Sequence, residues 1–287
     1  MNRFLLVMVL TVFIHLIITL NYSIRLAGLR TKRLLTAISI FNVVYLFASA
    51  SIVIQSPLLT SIVEHSIKTG LTQVGAEVPA DQLIFQDAYK VQLVLLERKI
   101  RLVVLASTIG TVIGAFIVPA VVCVFTRAIG IFEQVGSVPK MFIKLFFSLP
   151  WRRAGMVWPR YSSLTHLLKQ KLLIPKNILL ANIIIMGFYS IAVLSGLYAG
   201  AMYPDFRSTA TSLSVILSGA ATVIGAVVVQ PTLSSITDQA LCGVRSETDI
   251  KQMTLYMVLT HLLGTLFAQV IFLPCAYLIK LFVQLLA

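Results

Sequence analysis

The sequence predicts an all-α fold: a polytopic integral membrane protein of about six transmembrane helices, with interfacial amphipathic helices in two long loops. Three observations carry that prediction. Of the 287 residues, 58% are hydrophobic and 11% charged, whereas a soluble domain has about 45–50% and about 25%. The mean hydropathy is +0.95. The apolar residues also gather into six runs, each near the roughly 20 residues that a helix needs to cross about 30 Å of hydrocarbon. A soluble enzyme, a disordered tail and a nucleic-acid-binding module are excluded. The net charge of +13 suits anionic lipid rather than nucleic acid, because the basic residues lie between the apolar runs.

Residues 1–287 read as a single membrane domain. The first span covers 4–24. Arg3 precedes it as in a signal peptide, but no small-residue cleavage site follows, so it reads as a retained helix. Spans two and three cover 34–54 and 102–125; spans four, five and six cover 178–198, 209–229 and 254–279. Between spans two and three, 55–101 holds Pro57 and Pro79 and then a mixed-charge run over 81–101. Asp87/Lys90 and Glu97/Arg101 have i,i+3 and i,i+4 spacing, which predicts a helix leading into span three. In 126–177, an apolar segment over 141–149 surrounds Lys144, and Trp151, Arg152, Arg153 and Trp158 follow it. Too short to span, it reads as interfacial, as does 164–173 with Lys169 and Lys171. Each is a surface anchor or a gate over an entrance.

Charge sets the expected orientation. Arg3 stands alone before span one, and Arg25, Arg30, Lys32 and Arg33 follow it. The positive-inside rule then puts residues 25–33 and loop 126–177 in the cytoplasm, and loop 55–101 and both termini outside. In that arrangement 15 of the 23 basic residues are inside and 8 outside.

Catalytic signatures are missing from the sequence. There is no Gly-x-x-x-x-Gly-Lys-[Ser/Thr] loop, no His-Glu-x-x-His and no Gly-x-Ser-x-Gly. His15, His65, His166 and His261 are scattered, and none of the ten acids falls in a predicted span. Cys123, Cys242 and Cys275 form neither a disulfide framework nor a metal pair by spacing. The expectation is passage rather than catalysis, with no cofactor and no metal.

Polar residues recur at helical spacing in three spans: Thr11, His15, Thr19 and Tyr22 in the first, Ser39, Asn42, Tyr45 and Ser49 in the second, His261, Thr265 and Gln269 in the sixth. They read either as interhelical hydrogen bonds or as a hydrophilic groove between spans one, two and six. Gly110-x-x-x-Gly114, Gly196-x-x-x-Gly200 and Ala221-x-x-x-Gly225 read as close-packing seams, with an oligomer contact among their uses. The cluster Arg25, Arg30, Lys32, Arg33 is either topogenic charge or a site for a di-anionic headgroup, which arginine's planar fork pairs bidentately. Asn21, Tyr22 and Ser23 place three hydrogen-bonding side chains just ahead of Arg25.

The run Thr19-Leu20-Asn21-Tyr22-Ser23-Ile24-Arg25-Leu26-Ala27-Gly28-Leu29-Arg30-Thr31-Lys32-Arg33, with His15 before it and Phe41-Asn42 after it, resembles the signature of the Amj family of bacterial lipid II flippases. The length and six-span layout fit as well. The resemblance implies transport of lipid II, the undecaprenyl-pyrophosphate disaccharide-pentapeptide, from the inner to the outer leaflet of the bacterial plasma membrane. The missing phosphate-binding loop fits a transporter acting without ATP hydrolysis, and the composition one acting without nucleic acid. On that reading Arg25, Arg30 and Arg33 capture the pyrophosphate, while Asn21, Tyr22, Asn42, His15 and His261 line the route. The alternatives are a membrane enzyme of undecaprenyl-carrier metabolism and a scaffold for cell-wall enzymes.

Overall fold

A computed structural model of the chain describes residues 2–74, 82–148 and 167–286, and these are helical with no strand among them. The α-helices are α1 (Arg3–Leu20), α2 (Ser23–Thr31), α3 (Leu34–Val74), α4 (Asp87–Val135), α5 (Val138–Ser148), α6 (Lys176–Met202), α7 (Arg207–Ile224), α8 (Gln230–Leu241) and α9 (Glu247–Leu286). Six helical stretches are long and apolar enough to cross a membrane, and each contains one of the six predicted runs.

Three helices far outrun a bilayer. α3, α4 and α9 have 41, 49 and 40 residues, or about 60–75 Å at 1.5 Å per residue. The predicted loop 55–101 is therefore largely a helical hairpin: α3 continues through Pro57 to Val74, and α4 returns from Asp87. Pro57 costs about 3 kcal/mol in a helix interior. Leu59, Val63 and Ile67 keep helical spacing and bury against Leu96, Ile100 and Val103, and each such side chain contributes about 1.5–3 kcal/mol. Burial wins. Gly70 lets the arms close, since a Cβ there would lie 2.5 Å from Tyr89. The Tyr89 hydroxyl in turn donates to the Ala201 carbonyl at 2.6 Å, tying the hairpin to the end of α6.

The first predicted span is broken, which the sequence reading did not anticipate. α1 stops at Leu20, Asn21 and Tyr22 turn, and α2 begins at Ser23. Lys32 ends α2 in the left-handed region at φ 55°, and the Arg33 N–H donates to the Gly28 carbonyl at 2.9 Å. Gly28 is needed because a Cβ would sit 2.8 Å from Leu34 Cα. The short α2 is thus folded back on α3.

Two of the small-residue seams are filled by helices of the same chain. α1 lies on Gly110 and Gly114 of α4, where a Cβ on Gly114 would come within 2.7 Å of Thr19 Cβ. α7 lies on Gly196 and Gly200 of α6, meeting Ser214 and Arg207. In the third, Ala221 is buried while Gly225 opens a π-helical turn, Gly225–Val229, that joins α7 to α8. Pro231 lacks an N–H, and the wider turn lets the chain continue past it.

The described part of the segment, 141–148, is amphipathic as expected. In α5, Met141 and Leu145 bury against the core while Ile143 and Phe147 are exposed. Trp151, Arg152, Arg153 and Trp158 lie outside the described residues. So does the start of 164–173, whose described part is helical only over 167–169. Its backbone is held by buried Gln252, which donates to the Leu167 carbonyl at 3.1 Å and accepts from the Leu173 N–H at 3.3 Å. No motif in the sequence singled out Gln252.

Candidate functional site

α2 is short, basic and strapped to three different elements by its arginines. Arg25 reaches α8, donating to Gln230 Oε1 at 2.7 Å and to the Ser234 and Thr237 hydroxyls at 3.4 Å. Arg30 pairs with Glu247 of α9 at 2.9 Å. Arg33, just past α2, pairs with Glu133 near the end of α4 at 2.6 Å. The cluster that looks uniform in sequence is therefore divided by its partners.

The division matters electrostatically. Arg30 and Arg33 already face carboxylates. Arg25 is half-buried and holds only neutral oxygens; no carboxylate is within ion-pair distance of it among the described residues. Its nearest counter-charge acts from Asp238, on the same helix as its acceptors. A guanidinium withdrawn from water with neutral partners retains most of its charge for an incoming anion. Glu247 lies ahead of the apolar part of α9. Hydrogen bonds from Lys251 and then Arg30 hold its carboxyl below the ordinary carboxylate range, so it stays ionised and keeps Arg30 engaged.

The polar stripes of the first and sixth spans meet each other. His15 is 6% and His261 0% exposed, with ring centroids 5.9 Å apart. The Thr19 hydroxyl lies 3.3 Å from His261 Nδ1, and Tyr22 stands edge-on to His261 at 6.0 Å. His15 Nδ1 and His261 Nε2 are buried without a hydrogen-bond partner. A groove open between spans one, two and six was one of two expectations; the structure instead shows a closed polar contact between spans one and six.

Tyr22 closes the other side of that contact. Its side chain lies close enough to Asn182 of α6 to interact with it electrostatically, and Asn182 donates to the Thr260 hydroxyl at 2.8 Å. Thr254 donates to the Tyr22 carbonyl at 3.3 Å. Asn182 and Thr260 are functional candidates that sequence reading missed. Asn182 is a lone amide among Ile and Leu in span four, and its isolation was the available signal. Asn21 is exposed at the break between α1 and α2.

Asn42 joins neither group. It is exposed on α3, on the same flank as Tyr45, which interacts electrostatically with Tyr189 of α6. The eight predicted residues thus form a set of buried His15 and His261 with partly buried Tyr22 against them, three separately held arginines, and Asn21 and Asn42 apart from both. Among the described residues no three His, Cys, Asp or Glu side chains come close enough to share a metal ion.

Residues 10–283 match the family model described as "Amj: Alternate to MurJ". The chain is 32% identical over 266 residues to a Bacillus subtilis (strain 168) protein named "Lipid II flippase Amj", covering 92% of this chain and 90% of the relative. No solved structure matches.

Proposed function

The chain belongs to the Amj family, and from that premise we propose that it is a lipid II flippase of the bacterial plasma membrane. It moves the undecaprenyl-pyrophosphate-linked peptidoglycan precursor from the inner to the outer leaflet, as a transporter and not a catalyst. Residues 25–33 and the loop 126–177 face the cytoplasm and both termini face outward, in keeping with the excess of Lys and Arg in those segments.

The observation that carries this reading is the state of Arg25. The prenyl tail stays in hydrocarbon without help, so the barrier lies with the headgroup. Moving one ion from water to low dielectric costs of order 20 kcal/mol in the idealised limit, and a diphosphate carries more than one charge. A receptor for it needs a cation at the inner interface that is not already neutralised. Arg25 meets that requirement, with Gln230, Ser234 and Thr237 as ready hydrogen-bonding partners around it. Arg30 and Arg33 hold the site in shape through Glu247 and Glu133.

The direct test is leaflet accessibility of labelled lipid II in proteoliposomes of the purified protein. Transfer between leaflets well above that of protein-free vesicles is expected. Transfer at the protein-free rate would defeat the reading.

A further inference from the structure

At the opposite end of the bundle from Arg25, a cleft of about 330 Å³ opens between α3 and α7. Its volume is at the lower end of small-molecule sites, which run about 300–1,000 Å³. Polar side chains stand on both walls, Thr60 and Glu64 from α3 and Arg207, Ser208, Thr211 and Ser212 from α7, over an apolar base of Val63, Ile67 and Leu197. Arg207 and Glu64 face each other across it at 3.9 Å, each about half exposed. A pair this loose and wet contributes little and separates readily.

The cleft fixes which flanks of the two helices face one another. Continued by helical periodicity, the α7 flank that carries Ser208, Thr211 and Ser212 runs on through Ser218, Gly219 and Thr222, interrupted by Val215. The adjoining flank, about a quarter turn or more round the helix, is apolar and exposed, with Ile216, Ile224 and Val227. The α3 flank that carries Thr60 and Glu64 runs back through Ser56 and Ser49 to Tyr45 and Asn42, interrupted by exposed Val53 and Leu46. Leu197 and Gly200 of α6 line the cleft between the two helices, which puts α6 at the floor. A membrane helix with one lipid-like flank and one hydroxyl-bearing flank, facing a second polar flank, is the signature of a hydrated path.

The path has a cation at each end. Arg207 begins α7, and Gln230, the acceptor of Arg25, begins α8. They are separated by about 35 Å of helix at 1.5 Å per residue, close to one hydrocarbon thickness of about 30 Å. Between them the Thr211, Ser218 and Thr222 hydroxyls donate to carbonyls of their own helix at 2.9, 3.0 and 2.8 Å. That leaves their lone pairs to accept from sugar hydroxyls and peptide amides. Phosphate therefore finds guanidinium donors at the two interfaces, and the glycopeptide finds acceptors in between.

We propose that the headgroup crosses along a lateral crevice between α3 and α7, floored by α6, and that Arg207 is its second diphosphate subsite, released from Glu64 as the headgroup arrives. This rests on the flippase reading and names its route: spans two and five, rather than the contact of His15 with His261.

The test uses the full chain with Cys123, Cys242 and Cys275 replaced, carrying Thr222→Cys or Asn42→Cys on the crevice flanks, or Ile216→Cys or Val227→Cys on the adjoining apolar flank of α7. A membrane-impermeant charged thiol reagent should label the crevice positions at least about tenfold faster, because a hydrated thiol ionises and one in lipid does not. Undecaprenyl pyrophosphate should slow that labelling. Equal rates on both flanks, or labelling that undecaprenyl pyrophosphate leaves unchanged, would overturn the inference. In lipid II transport, Arg207→Gln should be about tenfold slower or more, with partial rescue by Arg207→Lys. Unchanged transport by Arg207→Gln would remove the outer subsite. If the wild-type protein moves no lipid II while Thr222→Cys labels fast and is protected, the crevice stands and the transport reading falls.

Discussion

Arg25 on α2 donates to Gln230 on α8 at 2.7 Å, across the point where the fifth span leaves its π-helical turn. The bond ties the fold-back after the first span to the least buried of the six spanning stretches. π-helical turns frequently mark functional sites, and here the turn delivers Gln230 and Ser234 to a guanidinium that no carboxylate neutralises among the described residues.

Arg25→Gln should lower lipid II transport by about tenfold or more, the loss of a charge-assisted bond to phosphate, while expression and thermal stability change little, since the partners it leaves are neutral and half-wet. Arg25→Glu should abolish transport. The assay is leaflet exchange in proteoliposomes, read beside a melting curve; full activity in Arg25→Glu would refute the capture role.

Arg30 should behave differently. Its pair with Glu247 is partly exposed, so Arg30→Ala should destabilise by no more than about 1 kcal/mol. Arg30→Glu should impair the protein more, and the double variant Arg30→Glu with Glu247→Arg should recover. Failure of the swap, with Arg30→Glu as inactive as Arg25→Glu, would show that Arg30 binds cargo directly.

The unpaired nitrogens of His15 and His261 allow a clean separation of stability from activity. Replacing a buried, unsatisfied polar group with an apolar one of similar shape is close to neutral or stabilising. His15→Leu should therefore melt at or above the wild-type temperature. If these residues only seal spans one and six, transport is also kept. A stable His15→Leu protein with transport lost would put the histidines on the route.

Gly114→Val should be among the most damaging single changes. Thr19 Cβ lies where the first added carbon would go, so α1 must move off α4; overpacking of this kind costs about 1–3 kcal/mol. The measurement is thermal melting in detergent. A Gly130→Ala control, with nothing near the added carbon, should melt within a degree or two of wild type, its better helix propensity being worth under about 1 kcal/mol.

Outward movement of an anion gains about 2.3 kcal/mol per charge per 100 mV of inside-negative potential. A diphosphate with nearly two charges gains about 4–5 kcal/mol. Imposing a potassium-diffusion potential on proteoliposomes at constant pH should bias labelled lipid II toward the positive side. A distribution insensitive to potential would rule out this driving force.

Composition and periodicity determined the six spans, because crossing hydrocarbon demands runs of about 20 apolar residues whatever their packing. Arg25, Asn42 and the two histidines also stood out as polar groups in or beside those runs. What they touch was decided by tertiary structure. Arg25, Arg30 and Arg33 look alike in one dimension, yet acquire a neutral nest, one carboxylate and another because α8, α9 and α4 arrive from distant parts of the chain. His15 and His261 carry the same periodic signal as Asn42, but helix crossing buries the first two against each other and leaves Asn42 exposed. Helical periodicity says which residues share a face; only the packing of helices says what that face meets.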